Sequence, residues 1–304
     1  MKRKKHNVPT VDNIIGNFAG RPVGVIIVAV SLIAIIFPLY WLLTSSVKIE
    51  AEYLSNPPVI FPSKFTAASY QEIFGKDQLW LNFFNTVIVA GASTIISVIF
   101  GSMAAYAVAR GSLGKRARKY FGLWFMVQKM YPAIATAIPV YLVMRTMHLI
   151  DTKTALIIMN TSFNLPLVIW LMMGFFEQLP KELEESAMLD GCGFTKRFFK
   201  IIFPLTKPGM IASAILAFVG AWNEFLFACI LSVNKSKTLP VVIAGFITDR
   251  GLEWGPMAAT TVITLVPVLI LVWALQKHFV QGLAMGCVNY RRHADKSFFY
   301  FLKH

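Results

Sequence analysis

Six long apolar stretches, at residues 23–43, 86–109, 120–144, 155–176, 209–232 and 256–276, limit what this chain can fold into more than any other feature. A bilayer core about 30 Å thick is crossed by roughly 20 helical residues, and each stretch is about that long or longer. The expected fold is all-α: a polytopic membrane protein with six transmembrane helices. Charge supports this, because only 14% of the 304 residues are charged and 56% are hydrophobic, where a soluble domain carries about 25% charged residues. Pro38, Pro132, Pro139, Pro166 and Pro267 fall inside the stretches. Membrane helices tolerate proline where neighbouring helices satisfy the freed backbone groups.

The formal net charge is +14, yet the basic residues sit in short clusters between the apolar stretches. A nucleic-acid protein gathers them on one face of a soluble domain, so no nucleic-acid partner is expected. Cytoplasmic segments of membrane proteins carry the excess of Lys and Arg. With both termini cytoplasmic, the inner segments hold 20 of these residues and the outer loops 8, with Lys129 inside a span. The start Met1-Lys2-Arg3-Lys4-Lys5 precedes an apolar run longer than the roughly 7–15 residues of a signal-peptide core. It is read as a retained first span. The expected organisation is a cytoplasmic segment 1–22, a membrane domain 23–289 and a basic, aromatic tail 290–304, either lying on the anionic inner leaflet or disordered. Outer segment 44–85, with Pro57, Pro58 and Pro62, is either a connector or a support for an external partner. Cys192, Cys229 and Cys287 suit neither a zinc site nor a disulfide framework.

The inner segment 177–208 reads as two short helices. Pro180 suits a helix start, and Glu182, Glu184 and Glu185 favour the positive end of the helix dipole. Gly191 and Gly193 interrupt the helix and permit positive φ. The second helix resumes near Phe194, and Phe194, Phe198, Ile201 and Ile202 share one apolar face at i, i+4, i+7 and i+8. Pro204 and Pro208 end it. An apolar stripe on the water side needs a cover. Its own membrane domain would serve, and so would a groove on a partner.

This segment resembles the EAA loop of binding-protein-dependent ABC import permeases: Glu-Ala-Ala, two residues, Asp-Gly, nine residues, Ile-x-Leu-Pro. Here it runs Glu185-Ser186-Ala187, Met188-Leu189, Asp190-Gly191, nine residues, Ile201-Ile202-Phe203-Pro204, with Ser186 and Phe203 departing from the pattern. The resemblance implies a cytoplasmic coupling helix between spans 4 and 5, held in a cleft of a separate ATPase. Glu185 would anchor it, Gly191 would supply the turn, and the flanking apolar residues would fill the cleft. Closure of the ATPase dimer would move the helix as a rigid body and rock the spans. Ala221-Trp222-Asn223-Glu224-Phe225, and residues 279–289, are similar to the carbohydrate branch that includes the maltose permeases. The resemblance therefore implies a sugar-importing subunit in a prokaryotic cytoplasmic membrane. Its implied partners are an ATPase dimer, a second homologous permease, an extracellular or periplasmic solute-binding protein and membrane lipid. The tail 290–304 runs past that branch's usual end. A glycerol phosphate-like cargo falls within the same branch.

Polar side chains inside spans are costly and face a cavity or a partner helix. By depth, Gln128, Lys129, Asn160, Asn164, Asn223 and Glu224 overlap around the middle and outer half of the bilayer. One reading is a translocation path, with Tyr131, Phe163 and Trp222 stacking on sugar rings. The other is interhelical hydrogen bonding, with a Lys129–Glu224 ion pair fixing helix packing. The sequence holds no Gly-x-x-x-x-Gly-Lys-Ser/Thr loop, no His-Glu-x-x-His and no Gly-x-Ser-x-Gly. No catalytic residue, cofactor or metal is therefore expected in this chain, and ATP and magnesium would be held by the ATPase. A six-span transporter working without ATP is the alternative that the loop disfavours.

Overall fold

A computed structural model of the chain describes residues 22–75, 78–249 and 251–276. The two terminal segments, with the 279–289 stretch and Cys287, lie outside the described residues. Helices dominate, with one two-residue hairpin, Ile247–Thr248 with Gly251–Leu252. Four described helices are long and apolar enough to cross a membrane: α1 (Gly24–Ser45), α3 (Gln78–Arg110), α6 (Lys153–Gln178) and α12 (Trp254–Gln276). α2 is Ala68–Phe74.

Expected spans three and five are each interrupted. The third is α4 (Lys115–Met130), a 3-10 turn at Ala133–Thr136 and α5 (Ala137–Thr146). Tyr131 sits at φ −68°, ψ 130°, the extended region that the ring of a following proline imposes. The fifth is α9 (Lys207–Trp222) followed by α10 (Leu226–Leu231). The carboxylate of Glu224 accepts from the N–H groups of Phe227 and Ala228 at 2.7 and 3.0 Å. It thereby satisfies two donors that a new helix start leaves open. α11 is Leu239–Ala244.

The chain divides into two compact units. The first comprises the described residues of Met1–Ile73 and Thr248–Val262. Its loop after α1 is folded rather than slack. Lys48 is buried, donating to the Val59 carbonyl at 2.6 Å with its ammonium 4.0 Å from the Trp41 ring centroid. Burial pulls that ammonium's pKa down and Glu52 opposes the shift. The Tyr53 hydroxyl donates to the carbonyls of Ser45 and Lys48, and Glu52 accepts from the Ser63 N–H at 2.9 Å.

In the second unit, the described residues of Phe74–Ile247 and Ile263–His304, α3 and α6 form the central pair. Small residues let them approach: a Cβ on Gly101 would lie 2.7 Å from Val168 Cγ1, and Ser97, Ser102, Ala105 and Ala109 are buried nearby on α3. Without water to drive association, close backbone packing of this kind is what holds membrane helices together. Between α5 and α6, Asp151 pins the segment after α10. It sits at φ 59°, and its carboxylate accepts from the N–H groups of Val233, Asn234, Lys235 and Ser236 at 2.9–3.2 Å and from the Ser236 hydroxyl. Burial alone would raise its pKa, but the N–H groups outweigh burial and hold the carboxyl well below the usual carboxylate range. Stability from this carboxylate is therefore complete above the unfolded value of about 4 and is lost only as pH falls through the depressed folded value. Asp151→Asn should cost about 1–3 kcal/mol. In detergent, the melting difference from wild type should be constant from pH 5 to 8; equal melting would mean that the clamp contributes nothing.

Candidate functional site

The loop between α6 and α9 holds the EAA spacing. α7 (Glu182–Leu189) begins after Pro180 and Lys181. It ends in a turn where the Gly191 N–H donates to Met188 O and the Cys192 N–H to Ala187 O. Gly191 has φ 71°, a left-handed conformation that costs other residues about 1–2 kcal/mol. Gly193, expected to use the same freedom, instead sits at φ −63°, ψ 167°, directly before the next helix. α8 (Phe194–Leu205) follows and meets α9 at a bend of 79°. Pro204 does not end α8. A π turn at Phe198–Ile202, with the Phe203 N–H reaching Phe198 O, carries the helix past it to Leu205.

The two helices resolve the question of cover differently. On α8, Phe198 and Ile202 are buried in the core of the membrane domain, with Ile201 packed beside them. Phe194 is exposed at 43%, though its ring lies 4.7 Å from that of Tyr106. The apolar face read from the sequence is thus largely an internal one, and Phe194 and Ile201 are turned partly inward. On α7, Ala187 and Glu184 are buried, whereas Glu185, Ser186, Met188 and Asp190 are exposed. Leu189 is 91% exposed. Gly191 and Pro204 also lie at the surface.

Sequence reasoning missed Glu184. Its carboxylate accepts from the Tyr106 hydroxyl at 3.1 Å, and its Oε1 lies 3.4 Å from Arg110 Nε. The ion-paired side chains are only 7% and 10% exposed for Arg110 and Glu184. Arg110 also donates from Nε to the Phe176 carbonyl at 3.0 Å, and from Nη2 to the carbonyls of Phe176 and Leu179. It therefore adds to the capping at the end of α6, where Phe176 O also accepts from the Leu179 N–H. Tyr106 is covered by Phe176, Phe194 and Phe198. The local sequence offered three glutamates, and no local signal separates the one that turns inward from the other two.

The polar residues of the spans separate into packed and open groups. Asn164 is buried and donates to Ala217 O of α9 at 3.1 Å, and Asn160 donates to Leu156 O within its own helix. Trp222 is 1% exposed, donates to Thr264 O at 3.1 Å and stacks on Phe218. Its ring is therefore taken up by packing, not offered for stacking. The Lys129–Glu224 pair is not among the described ion pairs: Lys129 donates to Phe163 O, and Glu224 caps α10. Gln128, Tyr131 and Asn223 are exposed. A cavity of about 390 Å³ is lined by Trp124, Val127, Gln128, Tyr131, Ser162, Phe163 and Pro166. It brings together Gln128, Tyr131 and Phe163 with Trp124, one helical turn before Gln128 on α4.

The family model described as "Binding-protein-dependent transport system inner membrane component" matches residues 97–284. The chain belongs to this family. Among its relatives in this family is the sulfoquinovosyl glycerol transport system permease protein SmoH of Agrobacterium fabrum. The two are 36% identical over 280 residues, 92% of this chain and 98% of the relative. The melibiose/raffinose/stachyose import permease protein MelC of Bacillus subtilis is 34% identical over 87% of this chain and 95% of its own. In fold, the permease chain is similar to one from the crystal structure of a bacterial ABC transporter involved in alginate import. The TM-score there is 0.71 at 23% identity, covering 88% of this chain and 97% of that one. A permease of this family is a transport component of the inner membrane, consistent with the four apolar spanning helices.

Proposed function

We propose that this chain forms half of the translocation path of an ATP-driven carbohydrate importer, with both termini cytoplasmic, and that α7 docks on a separate ATPase dimer. The observation that carries the reading is the make-up of the EAA loop. Its root is held in the membrane domain by Glu184, while its tip presents Glu185, Met188 and Leu189 uncovered beside the Gly191 turn. An exposed apolar helix tip of this kind fits a partner's groove. On this reading ATP and magnesium belong to the ATPase, a second homologous permease completes the path, and an external binding protein delivers the solute.

A sugar cargo is supported by the relatives named for sulfoquinovosyl glycerol and for melibiose, raffinose and stachyose. The cavity beside Tyr131 supports it too, since Trp124, Tyr131 and Phe163 offer ring faces and Gln128 and Ser162 offer hydrogen bonds. Such sites suit sugars, whose apolar faces stack on aromatic rings while hydroxyls take polar groups. The test is uptake of labelled oligosaccharides into vesicles carrying the whole complex, with and without ATP inside; ATP-independent uptake would overturn the reading. Tyr131→Ala and Asn223→Ala should each lower uptake by about 2–10-fold, the range of a lost contact worth roughly 0.5–1.5 kcal/mol. Co-purification of the ATPase should be unchanged, and its loss would return both residues to a packing role.

A further inference from the structure

We propose that Arg110 and Glu184, with Tyr106, are positioning residues that clamp the docking loop to its own spans, so that displacement of α7 is passed to α3 and α6 rather than absorbed in the loop. The inference rests on the function proposed above and assigns a role to three residues outside the EAA pattern.

Little else holds α7. Its connection to α6 is Leu179-Pro180-Lys181, with Leu179 extended at φ −70°, ψ 138°. The buried residues of α7 are Glu184 and Ala187, an acid and the smallest apolar side chain. Leu183, Met188 and Leu189, which would supply an apolar grip, are exposed. Lateral attachment of α7 to the bundle therefore depends largely on the Glu184 carboxylate. That carboxylate meets two residues of the last turns of α3, Tyr106 at 3.1 Å and Arg110 at 3.4 Å. Separating α7 from α3 would leave a largely buried guanidinium and carboxylate unpaired, which is far more costly than parting an exposed pair.

The same guanidinium reaches both sides of the linker's start. It donates to Phe176 O inside α6 and to Leu179 O just beyond it. Tyr106 extends the clamp to α8, since its ring lies 4.7 Å from Phe194 and 5.2 Å from Phe198. One turn of α3 thus holds α6, α7 and α8 together. A rigid connection with few alternative arrangements is what carries motion between sites in a packed bundle.

The experiment uses the whole complex in vesicles and measures solute taken up per ATP hydrolysed. The double variant Arg110→Met with Glu184→Met removes both charges, so that neither is left buried and unpaired. We expect the ATPase to co-purify as with wild type and to hydrolyse ATP within about twofold of it, while uptake per ATP falls at least tenfold. Tyr106→Phe, which keeps the ring and removes one hydrogen bond, should lower the ratio by a smaller factor, and it decides the matter if the double variant fails to assemble. As a second readout, spin labels at Ser186 and Ala107 should keep one separation through the ATP cycle in wild type and change separation in the double variant. An assembled variant with an unchanged ratio and a fixed separation overturns the clamp while leaving the docking role of α7 in place. Wild-type uptake without ATP overturns both.

Discussion

Gly191→Pro should abolish ATP-driven uptake. Gly191 has φ 71°, whereas a proline ring fixes φ near −65°. Its N–H donates to Met188 O, and proline has no N–H to give. Forcing a side chain into the left-handed region costs about 1–2 kcal/mol, and a misplaced proline about 3 kcal/mol more. Since 1.4 kcal/mol is a factor of ten, the native turn should become roughly a thousandfold less populated. Glu185, Met188 and Leu189 would then no longer be held together against a partner. The measurements are uptake in vesicles and co-purification of the ATPase, both expected to be lost while the chain still reaches the membrane. Gly191→Ala is the graded control. It keeps the N–H and meets no neighbour within 4 Å, so only the backbone penalty remains, about 5–30-fold. Normal uptake by the proline variant would sink the coupling role of the turn.

The second large effect is expected at Gly209, in the first turn of α9. A Cβ there would lie 2.5–2.8 Å from three carbons of the Phe175 ring. Phe175 packs against the main core, where Phe176, Phe198 and Ile202 are buried, so the ring has little room to yield. Gly209→Val should destabilise the chain by about 1–3 kcal/mol, the usual cost of overpacking, and should disturb the 79° bend between α8 and α9. The readouts are the thermal midpoint of the purified complex and its yield. Gly174→Val on α6, where a Cβ meets nothing within 4 Å, is the matched control and should change little. Equal midpoints for the two variants would show that the close approach at Gly209 is not needed.

Much of the architecture was legible in advance because the bilayer makes it local. A long apolar run in lipid must satisfy its own backbone groups, and a helix does so within the segment. α1, α3, α6 and α12 follow from that alone. The interruptions within expected spans three and five were not legible. Pro132 is no different in kind from Pro166, which sits inside an unbroken α6.

The loop shows the same division. The spacing from Glu185 through Gly191 to Pro204 is a property of the chain, and it marked the turn at Gly191 beside the proposed docking element. The residue that holds the element could not be read locally. Glu182, Glu184 and Glu185 are alike in the sequence, and Glu184 is singled out by Tyr106, 78 residues earlier. The apolar stripe Phe194–Phe198–Ile201–Ile202 was equally compatible with an inner or an outer partner, and α3 supplied an inner one. Trp222 had the composition of a sugar-stacking residue until Phe83, Phe218 and the Thr264 carbonyl covered it. By itself, then, the sequence determined the helical membrane architecture, the bias in topology and the family of the loop, all of which rest on local periodicity, charge and spacing. Only the tertiary structure decided which of the chemically equivalent side chains are buried and paired, because pairing depends on what distant segments bring to the same place.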